Sequence, residues 1–403
     1  MTSVPGLDEE LFRTEYPRVV ASLARRFGDL DLAEDGASEA LLAAVEHWPA
    51  EGVPPNPGGW LTTTATRKVL DRLRRESQRD AKQSAAARLA DVEPASPVGP
   101  VDDDQLRLIF VCSHPALAPE NRLALTLRLV GGLTVPEIAR ALLAGEAAIG
   151  QRITRAKHKI RTARIPFRVP TAEDLEPRLA SVLQVLYLIF NEGYLASSGS
   201  EPTRVDLATE AIRLTRTLGT LLPDQPEVDG LLALMLLADA RRDARFVDGE
   251  LVTLEEQDRT HWNTEQIAEG HRIVLACIAR NRPGPYQLQA AINAVHTSAR
   301  SVEETDWSQI VTLYDHLRAI APSPVVELNR AIAVAELDGP AVGLALVEGL
   351  ALTTYGAWHV TRAELLRRLQ RVEEAREAYG QAIGLATNAA ERRHLERRRD
   401  ATV

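Results

Sequence analysis

Residues 132–168 read GLTVPEIARALLAGEAAIGQRITRAKHKIRTARIPFR. The segment TVPEIARAL carries the marks of a short helix: Thr134 at the N-cap, Pro136 just inside the start and Glu137 at the third helical position. A break around Gly145 follows. From Ala147 to Arg168 the chain holds seven Lys/Arg and no Asp/Glu, so a longer, strongly basic helix is predicted there. Two helices joined by a tight turn, the second basic, is the pattern of a helix-turn-helix.

The basic helix has two readable faces. Ile149, Ile153, Ala156 and Ile160 recur at helical spacing and form one apolar stripe that must pack on the domain. Gln151, Arg152, Arg155 and Lys159 share the face turned away from it. Arg suits guanine edges, Gln suits adenine and Lys meets phosphate, so this face suits a major groove. An ordinary solvated helix normally interleaves both signs of charge, and this one does not.

The chain has 403 residues, enough for two or three domains. It is 45% hydrophobic and 26% charged, the balance of a globular protein. Aromatics make up only 4%, and no run of alternating Val, Ile and Thr stands out, which favours an all-α fold. Without a signal-like start or a long uncharged apolar stretch, the expectation is a cytoplasmic protein that does not meet a membrane. Two cysteines, Cys112 and Cys277, give no disulfide framework. Charge is uneven. Residues 1–169 hold 23 Lys/Arg against 22 Asp/Glu, and residues 170–403 hold 24 against 34. The acidic half is a poor candidate for polyanion binding.

Four blocks follow from the patterning. Residues 1–80 hold helical patterns over LFRTEYPRVVASLARRFGD, DLAEDGASEALLAAVEHW and WLTTTATRKVLDRLRRESQRD. Pro49 is expected to close the second of these, and PAEGVPPNPGG (49–59) to be a loop. Residues 81–104 read as a flexible linker. Residues 105–170 form the helix-turn-helix block, with Pro166 and Pro170 stopping the basic helix. Residues 171–403 are helical throughout. Within them, 329–350 can be laid over 361–383 at an offset of 32, which places Ala331 on Ala363 and Gly343 on Ala375. Small residues at helix crossings, repeating at this length, suggest paired helices of tetratricopeptide type.

The first two helical blocks together resemble a known family. Residues 31–48, an acidic pair followed by a Glu-apolar helix, resemble region 2.2 of bacterial sigma factors. Residues 60–75, with a Trp-Leu start and an Asp-x-x-Arg-Arg end, resemble regions 2.3 and 2.4. Residues 117–164 resemble region 4. The two-domain layout resembles the extracytoplasmic-function group. The stretches IPFRVP, VLYLIFNEGYLASSG (182–199), LEEQDRTHW (254–262) and SPVVELNRAIAVAELDGP (323–340) are similar to the subgroup with a long tetratricopeptide-like C-terminal extension. Related chains often carry a Cys pair before the His-Pro, where this one reads VCSHP with Cys112 alone, which puts a local thiol or metal role in doubt. Gly145 stands where such chains tend to have Pro.

The resemblance implies a promoter-recognition subunit with no catalytic step and no cofactor. It implies RNA polymerase core as a partner, through the β′ clamp helices and β flap, and promoter DNA as another. Glu34, Asp35 and Glu39 would supply charge to the polymerase contact, and Leu42 and Trp48 apolar anchors, although Trp48 also reads as core. The −10 element would meet Arg67, Lys68, Arg72, Arg74, Arg75 and Arg79. Trp60 adjoins the loop that captures a flipped base in related factors, with Asn56 its best polar candidate; Trp60 itself reads rather as buried core. The −35 element would meet Gln151, Arg152, Arg155 and Lys159, with Arg161 and Arg164 on phosphates. The acidic extension would regulate the whole, by packing on these domains or docking a regulatory protein. The alternative is a stand-alone helix-turn-helix regulator with a tetratricopeptide-like sensor domain.

Overall fold

The computed structural model describes residues 9–83, 101–142, 144–168, 170–194, 205–247, 250–386 and 389–402. The fold is all-α, with one two-residue-by-two-residue hairpin among the described residues. Contacts divide the chain into residues 1–188 and 189–403.

The first unit begins with three mutually packed helices, α1 (Glu9–Phe27), α2 (Leu30–Glu51) and α3 (Pro57–Gln83). Asp29 starts α2, its carboxylate accepting from the backbone N–H of Asp31 at 2.7 Å and of Leu32 at 3.1 Å. Small residues, Ala33, Gly36, Ala37, Ala40 and Ala44, line its buried face. They let α2 lie close to its neighbours: a Cβ on Gly36 would sit 2.5 Å from Val69 of α3. Pro49 does not end α2. Proline lacks a donor N–H and crowds the carbonyl four residues back, yet the helix continues to Glu51, with Gly52 N–H donating to Trp48 O at 2.8 Å. The stop falls at Gly52, whose φ of 83° disfavours any residue with a Cβ. The expected 49–59 loop is therefore only residues 52–56.

The helix α4 (Val101–Cys112) starts inside the expected linker. Its first turn is acidic, which suits a helix N-terminus, and Asp104 is buried against Arg25 at 2.9 Å and Arg107 at 2.5 Å. Positions 84–100 of that linker lie outside the described residues. The helix-turn-helix follows as α5 (Pro119–Leu129), α6 (Val135–Ala141) and α7 (Glu146–Thr162). Thr134 and Glu137 form a reciprocal cap: Thr134 N–H donates to the Glu137 carboxylate at 2.6 Å, and Glu137 N–H to Thr134 Oγ1 at 3.4 Å. The stripe Ile149, Ile153, Ala156 and Ile160 is buried. Next comes α8 (Ala172–Tyr194), whose Ser181 hydroxyl donates to Ser113 O at 2.6 Å and whose Arg178 donates to Phe110 O at 3.0 Å.

The second unit is a run of paired helices. The helix α9 (Val205–Leu221) packs on α10 (Pro226–Asp239), which is buried on nearly all sides. The hairpin β1 (Phe246–Val247) and β2 (Glu250–Leu251) pairs antiparallel, Phe246 opposite Leu251. Then come α11 (Thr264–Arg280), α12 (Pro285–Ser298), α13 (Trp307–Ile320), α14 (Pro324–Asp338), α15 (Pro340–Glu348), α16 (Gly356–Arg368), α17 (Val372–Leu385) and α18 (Ala389–Asp400). The two segments related by the 32-residue offset are the pairs α14–α15 and α16–α17. Their matched small residues, Ala331, Gly343, Ala363 and Ala375, are all buried at helix contacts. No described helix is long and apolar enough to cross a membrane.

Candidate nucleic-acid interface

The burial of its isoleucine stripe fixes which way α7 faces. Gln151, Arg155 and Lys159 are exposed on the other side, Arg152 is half-buried, and Arg164 is exposed just past the helix end. The Arg155 guanidinium rests on the Gln151 carbonyl of its own helix at 3.3 Å. The side chains expected to read a groove therefore form one solvent-facing surface.

On α3, Arg67, Lys68, Arg74 and Arg75 are exposed at i, i+1, i+7 and i+8, one helix face. Arg74 pairs with the exposed Asp71 of the same face at 3.4 Å, Arg72 pairs with Asp35 of α2, and the Arg79 side chain lies outside the described residues. Asn56 caps α3, its side-chain oxygen accepting from Gly59 N–H at 2.9 Å. Trp60 is half-buried, its ring 5.4 Å from Trp48 in an edge-on contact. Trp48 is 3% exposed and so is a core side chain. The apolar positions that α2 turns to solvent are Leu42, 64% exposed, and Val45.

The acidic start of α2 lies against the helix-turn-helix. Lys157 of α7 donates to Asp31 at 2.8 Å and to Glu34 at 2.5 Å. Arg128 of α5 donates its Nε–H to Glu34 as well, with its guanidinium 5.4 Å from the Tyr16 ring centre. Arg161 reaches Asp31 at 3.2 Å. The Lys157 and Glu34 side chains are only 11% and 14% exposed. Burial alone would raise the Glu34 pKa, but Lys157 and Arg128 outweigh it and hold the carboxyl below its ordinary value. For Lys157 burial opposes the charge, and Glu34 with Asp31 raises its pKa above the ordinary lysine value.

The sigma-factor resemblance implies separate tasks for Glu34 and Arg161, and the structure brings them to one seam. Lys157 and Arg128 were absent from the expected set. The signal for Lys157 was its position: it precedes the stripe residue Ile160 by three and follows Ile153 by four, so it borders the buried face. Glu39 is partly exposed and makes no ion pair among the described residues. No group of three or more His, Cys, Asp and Glu side chains suited to a metal occurs among the described residues.

Two basic helix faces carried on three-helix blocks define a protein built to contact nucleic acid. Comparison with known proteins makes the class specific. Residues 11–79 match Sigma-70 region 2, and residues 107–160 match Sigma-70 region 4. Residues 178–278 match a family of unknown function, DUF6596. An uncharacterized protein of Rhizobium meliloti is 45% identical over 410 residues, covering 99% of this chain and 96% of that protein. The ECF RNA polymerase sigma factor SigK of Mycobacterium tuberculosis is 31% identical over 172 residues, 39% of this chain and 88% of SigK. The probable ECF RNA polymerase sigma factor SigI of the same species is 29% identical over 154 residues, 37% of this chain and 52% of SigI. No solved structure matches the chain. The chain belongs to the extracytoplasmic-function RNA polymerase sigma factors.

Proposed function

We propose that this chain is an alternative sigma factor that binds RNA polymerase core in the cytoplasm and directs initiation at its own promoters. The observation that carries the reading is the pair of exposed basic faces, on α3 and α7, in the two blocks that match the sigma regions. The α7 face, Gln151, Arg152, Arg155 and Lys159, takes the −35 duplex, with Arg164 on phosphate. The α3 face, Arg67, Lys68, Arg74 and Arg75, takes the −10 strand backbone. Leu42 and Glu39 on α2 meet the β′ clamp helices, and the helix-turn-helix block meets the β flap.

The seam adds a step to this reading. Glu34 is held by Lys157 and Arg128, and Arg161 by Asp31, so polymerase and promoter reach them once these contacts part. The paired helices of residues 205–402 form a regulatory extension of tetratricopeptide-like type. Run-off transcription with core polymerase on a library of linear promoters tests the proposal. A discrete set of transcripts dependent on this chain supports it. Tight duplex binding with no transcript from any template would favour the stand-alone regulator.

A further inference from the structure

The second unit holds a half-open cavity of about 430 Å³, which falls in the size range of small-molecule sites, roughly 300–1,000 Å³. How it is closed decides what fits. Arrays of paired helices present an open concave groove along which an extended peptide can run. Here the last helix bridges back across it. Arg393 of α18 donates to Glu250 of β2 at 3.1 Å, and Arg397 pairs with the same carboxylate. Arg398 spans Glu364 at 2.9 Å and Glu256 at 3.5 Å. The groove becomes a pocket of limited length.

The wall chemistry narrows the ligand. Trp307, Ile310, Ile332 and Leu395 make the apolar part. The half-buried carboxylate Glu364 accepts from Tyr379 Oη–H at 2.7 Å as well as from Arg398 and Arg367. Burial would raise its pKa, yet these donors hold it down at about 2, so it stays ionised and fully occupied. Glu336 is neutralised by Arg368. His296 is kept neutral, pushed down to about 4 by burial and by Arg241 and Arg259. Thus the charges of the wall are spent on one another, and Glu255 at the rim further disfavours an anion. Two polar groups of the wall are left over: the buried Nδ1 of His296 has no hydrogen-bond partner, and Asn329 is the second. It lines the cavity, and its side-chain amide makes no hydrogen bond among the described residues.

We infer that this cavity binds an uncharged, amphipathic small molecule, its apolar body against Trp307, Ile310 and Ile332 and its carbonyl or hydroxyl on the Asn329 amide. An unused amide beside a partly buried apolar wall favours a ligand carrying one hydrogen-bonding group over a pure hydrocarbon. The inference stands apart from promoter recognition, since every residue it uses belongs to the second unit.

The test uses the full chain and Nile red, an uncharged amphiphile that brightens in apolar surroundings. The expected result is saturable binding of one dye per chain. Ile332→Trp, which fills the cavity from a partly exposed position, is expected to weaken binding by at least about tenfold. Asn329→Ala is expected to weaken it by about three- to tenfold through one lost hydrogen bond. Because Asn329 bonds to nothing described, that variant keeps the test sound if Ile332→Trp fails to fold. Leu275 and Ile278 form a separate exposed apolar pair on α11, so the Leu275→Ser, Ile278→Ser double variant is the control and is expected to bind normally. A non-saturating response, binding undiminished in both cavity variants, or binding lost only in the α11 variant would each overturn the inference.

Discussion

Lys157 and Arg155 sit two residues apart on α7 and do different work. Arg155 is exposed on the α7 face proposed to take the −35 duplex. Arg155→Ala is expected to cost about 1–3 kcal/mol of binding at the preferred −35 duplex and little on unrelated sequences, measured by fluorescence anisotropy at fixed salt. A loss equal on all sequences would make it a phosphate contact. Lys157 lies in the seam between Asp31 and Glu34. Lys157→Glu places like charge against both and opens the seam. Core polymerase affinity, read by surface-immobilised core, is expected to rise several-fold, and unchanged affinity would show that the seam does not limit access to Glu34. The seam also has a pH dependence with a definite sign. The Glu34 pKa is lowered in the fold, so its contribution is complete above the usual carboxylate range and is lost as pH falls through the lowered value. The partners of Glu34 were not legible in the sequence, because Arg128 and Lys157 lie 94 and 123 positions away and only packing brings them there.

Helices whose signals are local were legible in the sequence. The Thr134–Glu137 cap and the isoleucine stripe of α7 are spacings within one or two turns, and both take the form their chemistry dictates. Boundaries set by tertiary contacts depart from the local signals. Pro49 reads as a stop, yet α2 runs on one turn. VDDD reads as linker, yet Asp104 is held by Arg25 of α1 and the helix starts at Val101. The β1–β2 hairpin is too short for any alternation to announce it. Glycine placement is the testable part of this scale. Gly36 is required by the approach of α2 to α3, where Val69 leaves no room for a β-carbon. Gly36→Val is expected to destabilise the first unit by about 1–3 kcal/mol in chemical denaturation, as overpacking does. A neutral result would mean that α2 and α3 separate easily.

At the scale of the whole molecule, the sigma regions account for the first part of the chain, and the remaining half is a helical array with a cavity of its own. The charge asymmetry in the sequence marks that division: basic faces belong to α3 and α7, and the acidic excess to the extension. The cavity had no sequence signature, since its walls come from residues between 253 and 398 that share no local spacing. The central claim concerns the polymerase, and the most direct measurement is size-exclusion of the full chain with sigma-free core, beside Glu39→Lys. The account predicts co-elution with the wild-type chain and its loss in the variant, whose melting curve stays unchanged. A chain that binds promoter duplex but elutes apart from core would contradict it.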